Sequence, residues 1–205
     1  LDDTHLPVRD VMTRDLVTAS PDISMDDAKV LLQKHRIEKL LLVDENGVLE
    51  GMITVKDIEK QETYPNASKD ADGRLLVAAA VGVGDDTEAR VHALVKAGAD
   101  VIVVDTAHGH TSRVRDVIRM VRAAHPDVQI VGGNVATAEG VEFLVEAGVD
   151  AVKVGIGPGS ICTTRVVAAT GVPQVTAIMQ CAEAGKRLGV PIIADGGIKY
   201  SGDVI

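Results

Sequence analysis

With 205 residues, 46% of them hydrophobic and 25% charged, the chain can bury one large core or two smaller ones, which excludes disorder and low-complexity repeats. Its 21 Lys and Arg stand against 30 Asp and Glu; a net charge of -9 repels a nucleic-acid backbone, and Tyr64, Phe143 and Tyr200 are too few for a base-stacking platform. No apolar run reaches the ~18–20 residues of a membrane span, and the first residues lack the pattern of a signal peptide. Two cysteines without such a signal fit a reducing compartment. A soluble, cytoplasmic α/β protein is expected, with no membrane or nucleic-acid partner.

In chain order, Ser24–His35 reads as a helix: Ser24 can cap it, Asp26 and Asp27 suit its positive end, and Ala28, Leu31 and Leu32 share a face. Leu40–Val43 and Val48–Ile53 read as short strands joined by a hairpin turn at Asp44-Glu45-Asn46-Gly47. Ile53–Ile58 leads into another short helix. Residues 1–63 thus form a small α+β module whose core alone is marginal. The polar stretch 64–73, with Pro65 and Gly73, reads as a linker.

From residue 74 to 205 the rhythm changes. Leu75–Val81, Val101–Asp105, Gln129–Val131, Ala151–Val154 and Ile192–Ala194 are near-continuously apolar, as strands buried on both faces are. Thr87–Ala97, Ser112–Ala124, Ala138–Ala147 and Val175–Leu188 read as the helices between them. Ala97-Gly98-Ala99-Asp100 recurs as Ala147-Gly148-Val149-Asp150, each time just before a strand. Alternating βα units define a parallel sheet, open or closed into a barrel. A whole eight-unit barrel needs ~250 residues, so the segment is expected to be part of one, and the chain a fragment.

In such a fold the chemistry lies where strands end. Four ends are polar or glycine-rich: 105–110 (DTAHGH), 132–134 (GGN), 155–165 (GIGPGSICTTR) and 195–197 (DGG). In the third, Gly155, Gly157 and Gly159 permit close approach to backbone atoms, and Cys162 follows on no apolar periodicity. A helical turn after the loop and Arg165 would favour its thiolate. Cys181 falls on a helical face with Ile178 and Leu188 and reads as core. Asp195 with Gly196 and Gly197 could hold a ribose diol and a phosphate, or be only a tight turn. His108 and His110 lack partner ligands at the other strand ends, so no transition-metal site is expected. Lys153, inside an apolar strand, has the setting of a Schiff-base lysine whose pKa desolvation lowers.

The stretch 155–165 resembles the inosine-5′-monophosphate (IMP) dehydrogenase family. The resemblance runs through DTAHGH, GGNV and DGGIKYSGD, and residues 8–60 are similar to the second of that family's paired CBS (cystathionine β-synthase-type) motifs. It implies a CBS pair inserted into a (β/α)8 TIM barrel, with half of the pair and the middle barrel units present. The sequence departs at Ala169-Thr170, where the family shows Gly-Val, a change expected to touch loop packing and no reactive group.

By that resemblance, the Cys162 thiolate attacks C2 of the hypoxanthine ring, hydride passes to NAD, and water releases xanthosine monophosphate (XMP). Ser160 would hold the substrate phosphate and Asp195 the ribose, with Gly196 and Gly197 completing that wall and Asn134 lining the base pocket. Asp105, Gly155, Ile156 and Gly157 would face the dinucleotide. Carbonyls of Gly157, Gly159 and Cys162 would bind K+. The resemblance also implies a homotetramer and a place in guanine nucleotide synthesis. Thr54 and Asp57, at the end of a strand in the CBS module, could take ATP or GTP, against a reading in which Asp57 only caps a helix. Two alternatives stay open: a GMP reductase, which shares the cysteine loop and DGG, and a nucleotide-sensing regulatory module.

Overall fold

The computed structural model describes residues 5–71 and 73–204, which fall into two compact units dividing after Ser68. In the first unit, helix α1 (Val8–Val11) precedes a two-residue strand β1 (Thr18–Ala19) and helix α2 (Met25–His35). Ser24 caps α2, its hydroxyl accepting the Asp27 N–H at 3.1 Å. Strands β2 (Lys39–Val43) and β3 (Leu49–Thr54) form the hairpin, and helix α3 (Val55–Thr63) closes the unit. The hairpin turn is held by the Asp44 carboxylate, which accepts the N–H groups of Asn46 and Val48, and Gly47 takes the left-handed conformation at φ 78°. The sheet order is β1-β2-β3, parallel then antiparallel, and Ala28, Leu32, Leu40, Ile53 and Ile58 make its small core.

The second unit alternates throughout: β4 (Ala78–Val81), α4 (Thr87–Lys96), β5 (Val101–Asp105), α5 (Ser112–Ala124), β6 (Gln129–Val135), α6 (Ala138–Ala147), β7 (Ala151–Val154), a short α7 (Thr164–Ala168), α8 (Gln174–Leu188) and β8 (Ile192–Ala194), ending in a 3-10 turn at Ser201–Val204. The five strands are parallel and neighbour one another in chain order, β4-β5-β6-β7-β8. With no reversal of strand order, the four helices α4, α5, α6 and α8 pack into one core on one face of the sheet. That is an arc of a (β/α)8 barrel, not a doubly wound sheet, whose order reverses at a switch point. Ile102, Val104, Ile130, Val152 and Val154 meet Ile118, Leu144, Ala177 and Cys181 in its core. On β7 the alternate position, Lys153, therefore faces away from the helices.

The Ala-Gly-x-Asp repeat has a physical role. Asp100 accepts the Val77 N–H at 2.8 Å, and Asp150 accepts the Ile130 N–H at 2.7 Å. Each aspartate thus ties the start of its own strand to that of the preceding one. The same contact corrects the first strand, which begins at Ala78 and not at Leu75. Leu75, Leu76 and Val77 are exposed, and the Val77 backbone bonds to Asp100.

A second correction concerns Gly132 and Gly133, which belong to β6 and not to a loop after it. A Cβ on Gly133 would lie 2.7 Å from Lys153 Cβ. The glycines mark close strand packing there, not a turn. The Gly133–Asn134 peptide is cis.

Candidate active site

The strand ends deliver their polar groups to one place. Lys153 Nζ lies 2.8 Å from Asp195 Oδ2, just past β8, and 3.2 Å from Asp105 Oδ1, the last residue of β5. Asn134, on β6, donates from Nδ2 to the same Asp195 oxygen and to the Gly155 carbonyl, both at 2.8 Å. The buried Gln174, first residue of α8, donates from Nε2 to the carbonyls of Val154 and Asp195. Asn134 Oδ1 and Gln174 Oε1 are buried without a partner among the described residues.

The charges of this network oppose the expectation for Lys153. Burial pushes its ammonium down, but the hydrogen bonds and charges of Asp195 and Asp105 outweigh it and raise its pKa. A Schiff-base lysine needs the reverse, so Lys153 is a fixed cation. Asp195 is held below the usual carboxylate value, first by the Lys153 hydrogen bond and then by Asn134.

The cysteine loop packs against the Asp195 turn. Gly196 and Gly197 are both left-handed, and a Cβ on them would meet Gly159 Cα at 3.1 Å and Pro158 Cβ at 2.7 Å respectively. Gly159 also accepts the Cys162 N–H at 3.0 Å, a tight turn containing the exposed Ser160. Cys162 is exposed, and Cys181 is fully buried in the core, where desolvation raises its thiol to about 11. The Cys162 thiol is lowered, first by the Thr164 hydroxyl 3.3 Å from Sγ, then by the Thr164 backbone, with Arg165 the smallest contribution. Arg165, expected to favour the thiolate, thus contributes less than Thr164. Arg165 braces the loop by donating to the Val172 carbonyl at 2.7 Å.

Of the other expected residues, Gly155 follows β7, and Ile156 turns its side chain into the core, so only its backbone can meet a ligand. Asp105 keeps its carboxylate about half exposed at the β5 end. His110 packs on Phe143, ring centroids 4.6 Å apart. Among the described residues, no three His, Cys, Asp or Glu side chains group as a metal site. Thr54 and Asp57 form a reciprocal capping box at the start of α3. Lys153 has a role other than the one expected, that of a hub, and Gln174 is a buried tie that only a Gln opening an otherwise apolar helix face could have signalled.

An exposed cysteine of lowered pKa on a glycine-rich loop, set beside a cation-held carboxylate at the strand ends of a βα arc, defines the class: part of a (β/α)8 barrel with its polar groups gathered at one mouth. Residues 33–205 match the IMP dehydrogenase / GMP reductase domain, and the chain belongs to that family. It is 58% identical over 206 residues to inosine-5′-monophosphate dehydrogenase of Halalkalibacterium halodurans, and 57% identical over 205 residues to the enzymes of Aquifex aeolicus and Bacillus subtilis. All of this chain is covered in each case, and it spans 42% of each relative's length. Among solved structures it is similar to GMP reductase from Trypanosoma brucei, with TM-score 0.77 and 43% identity over 92% of this chain and 42% of that one. The same enzyme in complex with guanosine 5′-triphosphate gives TM-score 0.75 and 44% identity, covering 92% of this chain and 45% of that one. Among the described residues no helix is long and apolar enough to cross a membrane.

Proposed function

We propose that this chain carries the nucleophile and the ribose site of an NAD-dependent IMP dehydrogenase. The observation that carries the reading is the packing of the Cys162 loop on the Asp195-Gly196-Gly197 turn, with Asp195 ionised by Lys153 and Asn134. A carboxylate so held accepts both ribose hydroxyls, and the turn beside it brings the bound base to the cysteine. Ser160, exposed in the Gly159–Cys162 turn, would meet the phosphate.

The thiolate of Cys162 forms a bond to C2 of the hypoxanthine ring, and the hydrogen at C2 departs with its electron pair. A bound NAD would accept that hydride. Water then adds at C2, the C2–S bond breaks, and XMP leaves with the thiolate restored. The half-exposed Asp105, with the backbone of Gly155, Ile156 and Gly157, would face the dinucleotide. K+ would rest on the carbonyls of Gly157, Gly159 and Cys162. The Gly159 carbonyl accepts one N–H and keeps a second lone pair, and neutral oxygens suit a weakly hydrated cation. Bound K+ supplies a fixed positive centre for the loop.

The complete polypeptide is proposed to act in the cytoplasm as a homotetramer in guanine nucleotide synthesis. The 205-residue chain by itself is proposed to be inactive, because β4 and β8 are open sheet edges with nothing to close the barrel. Similarity to GMP reductase supports a second reading with the same cysteine. Absorbance at the NADH band decides between them in the complete polypeptide. NADH formed from IMP and NAD, and abolished in Cys162→Ala, supports the dehydrogenase; NADPH consumed with GMP instead supports the reductase. Neither activity leaves the regulatory module.

A further inference from the structure

Gln174 belongs to no motif that suggested chemistry, yet its side chain holds two strand ends. Gln174 is only 7% exposed, and its Nε2 donates to Val154 O at 2.9 Å and to Asp195 O at 3.2 Å. Both neighbours are carbonyls, so the NH2 end of the amide must face them. Val154 is the last residue of β7, one position before the cysteine loop starts at Gly155. Asp195 carries the carboxylate proposed for the ribose. The two are already linked, Asp195 N–H donating to Val154 O at 2.9 Å.

The neighbouring glycines show how closely this amide is enclosed. A Cβ on Gly155 would lie 3.1 Å from Gln174 Nε2, and one on Gly197 3.1 Å from Gln174 Cβ. The side chain thus lies between the first residue of the cysteine loop and the last glycine of the Asp195 turn. Its Oε1 stays unpartnered at a site where an apolar side chain of the same length would be free of that cost. A buried amide kept under such conditions earns its place through the two bonds it donates.

Building on the proposed function, we infer that Gln174 is a positioning residue that fixes the distance between the Cys162 loop and the Asp195 turn. Attack at C2 requires the nucleophile and the bound ribose to be set to within a fraction of an ångström, and an error of about 1 Å costs about 100-fold in rate. Among the described residues, the Gln174 amide bonds to the carbonyls of Val154 and Asp195 and not to Cys162. It acts by tying those two backbones.

The test uses Gln174→Met, which keeps length and removes both donors, in the complete polypeptide. Ala177→Gly, one turn along α8 in the same core, serves as the control that loosens the helix without touching either carbonyl. Below both unfolding transitions, Gln174→Met should lower kcat/KM for IMP about 10- to 100-fold, with kcat falling and KM rising together. Ala177→Gly should stay within about twofold. Iodoacetamide labelling of Cys162 at one fixed pH needs no turnover, and in Gln174→Met its rate should depart from wild type by about threefold or more as the loop shifts, with Ala177→Gly within about twofold. Equal losses in the two variants, or a Gln174→Met enzyme matching wild type in both kcat/KM and labelling, would overturn the inference. If wild type turns over no IMP, the functional reading fails by itself, and the fixed-pH labelling rate alone then decides for or against the tie.

Discussion

Asp57 and Asp195 each lie just beyond the C-terminal end of a strand, and each is held below the usual carboxylate value, but by different kinds of partner. Asp57 is ionised by its near neighbour: the Thr54 hydroxyl and backbone N–H donate to Oδ2 at 2.7 and 2.9 Å, and Thr54 Oγ1 accepts the Asp57 N–H in return. Asp195 is ionised by Lys153 and Asn134, 42 and 61 positions away in the chain. A carboxylate satisfied within its own helical turn stabilises that turn. One gathered from three strands ties those strand ends to one another instead. The same residue type at the same kind of place therefore caps a helix in one unit and, in the other, is the carboxylate proposed for the ribose.

The sharpest way to break this comparison is to neutralise both. Asp195→Asn should lower kcat/KM for IMP about 100-fold or more in the complete polypeptide, by losing a charged acceptor and leaving Lys153 underpaired. Asp57→Asn should leave kcat/KM within about twofold. Similar losses from both, measured by NADH formation, would erase the distinction.

Removing the cation tests what holds Asp195. Lys153→Met should reduce kcat/KM about tenfold or more, since Asp105 and Asp195 would then repel without a bridge. The pH dependence has a definite sign. A carboxylate whose native pKa is depressed contributes stability that is present above its unfolded value near 4 and is lost as pH falls through the native value. Lys153→Met should flatten that acid loss in urea titrations below about pH 4. An unchanged slope would mean that Asn134 alone keeps Asp195 ionised.

The capping box offers smaller effects. Thr54→Ala should cost about 1 kcal/mol in the unfolding of the first unit. Calorimetry with ATP and GTP should find the same affinity in Asp57→Ala as in wild type; a loss would give Asp57 a nucleotide role beyond the box. Smallest of all, Ala169→Gly should gain up to about 1 kcal/mol, because Ala169 ends α7 at φ 52°, where an L side chain is strained. A urea midpoint that falls would contradict this.

The contrast also explains what could be read from the residues alone. The capping box is visible as a Thr with an Asp three places on, and the βα rhythm as apolar runs broken by caps. Lys153 could be seen, but not the carboxylates that reverse its pKa, because they arrive from other strands. Gly132 and Gly133 read as a strand end, since nothing in the local sequence records that Val149 and Ile118 crowd the first and Lys153 the second. The start of β4 was misplaced for the same reason: Leu75–Val77 are apolar enough for a strand, and only the distant Asp100 shows where the ladder begins. Cys162 was legible by its loop, whereas Thr164, the main cause of its lowered pKa, was obscured by the more conspicuous Arg165.

The central claim is that Cys162, and not the core residue Cys181, makes a covalent bond to the substrate. The complete polypeptide, incubated with IMP and NAD and quenched in acid during turnover, can be digested and weighed peptide by peptide. The account predicts a nucleotide adduct on the peptide carrying Cys162 and none on that carrying Cys181. Steady NADH formation with both peptides unmodified, or an adduct on any other residue, would contradict it.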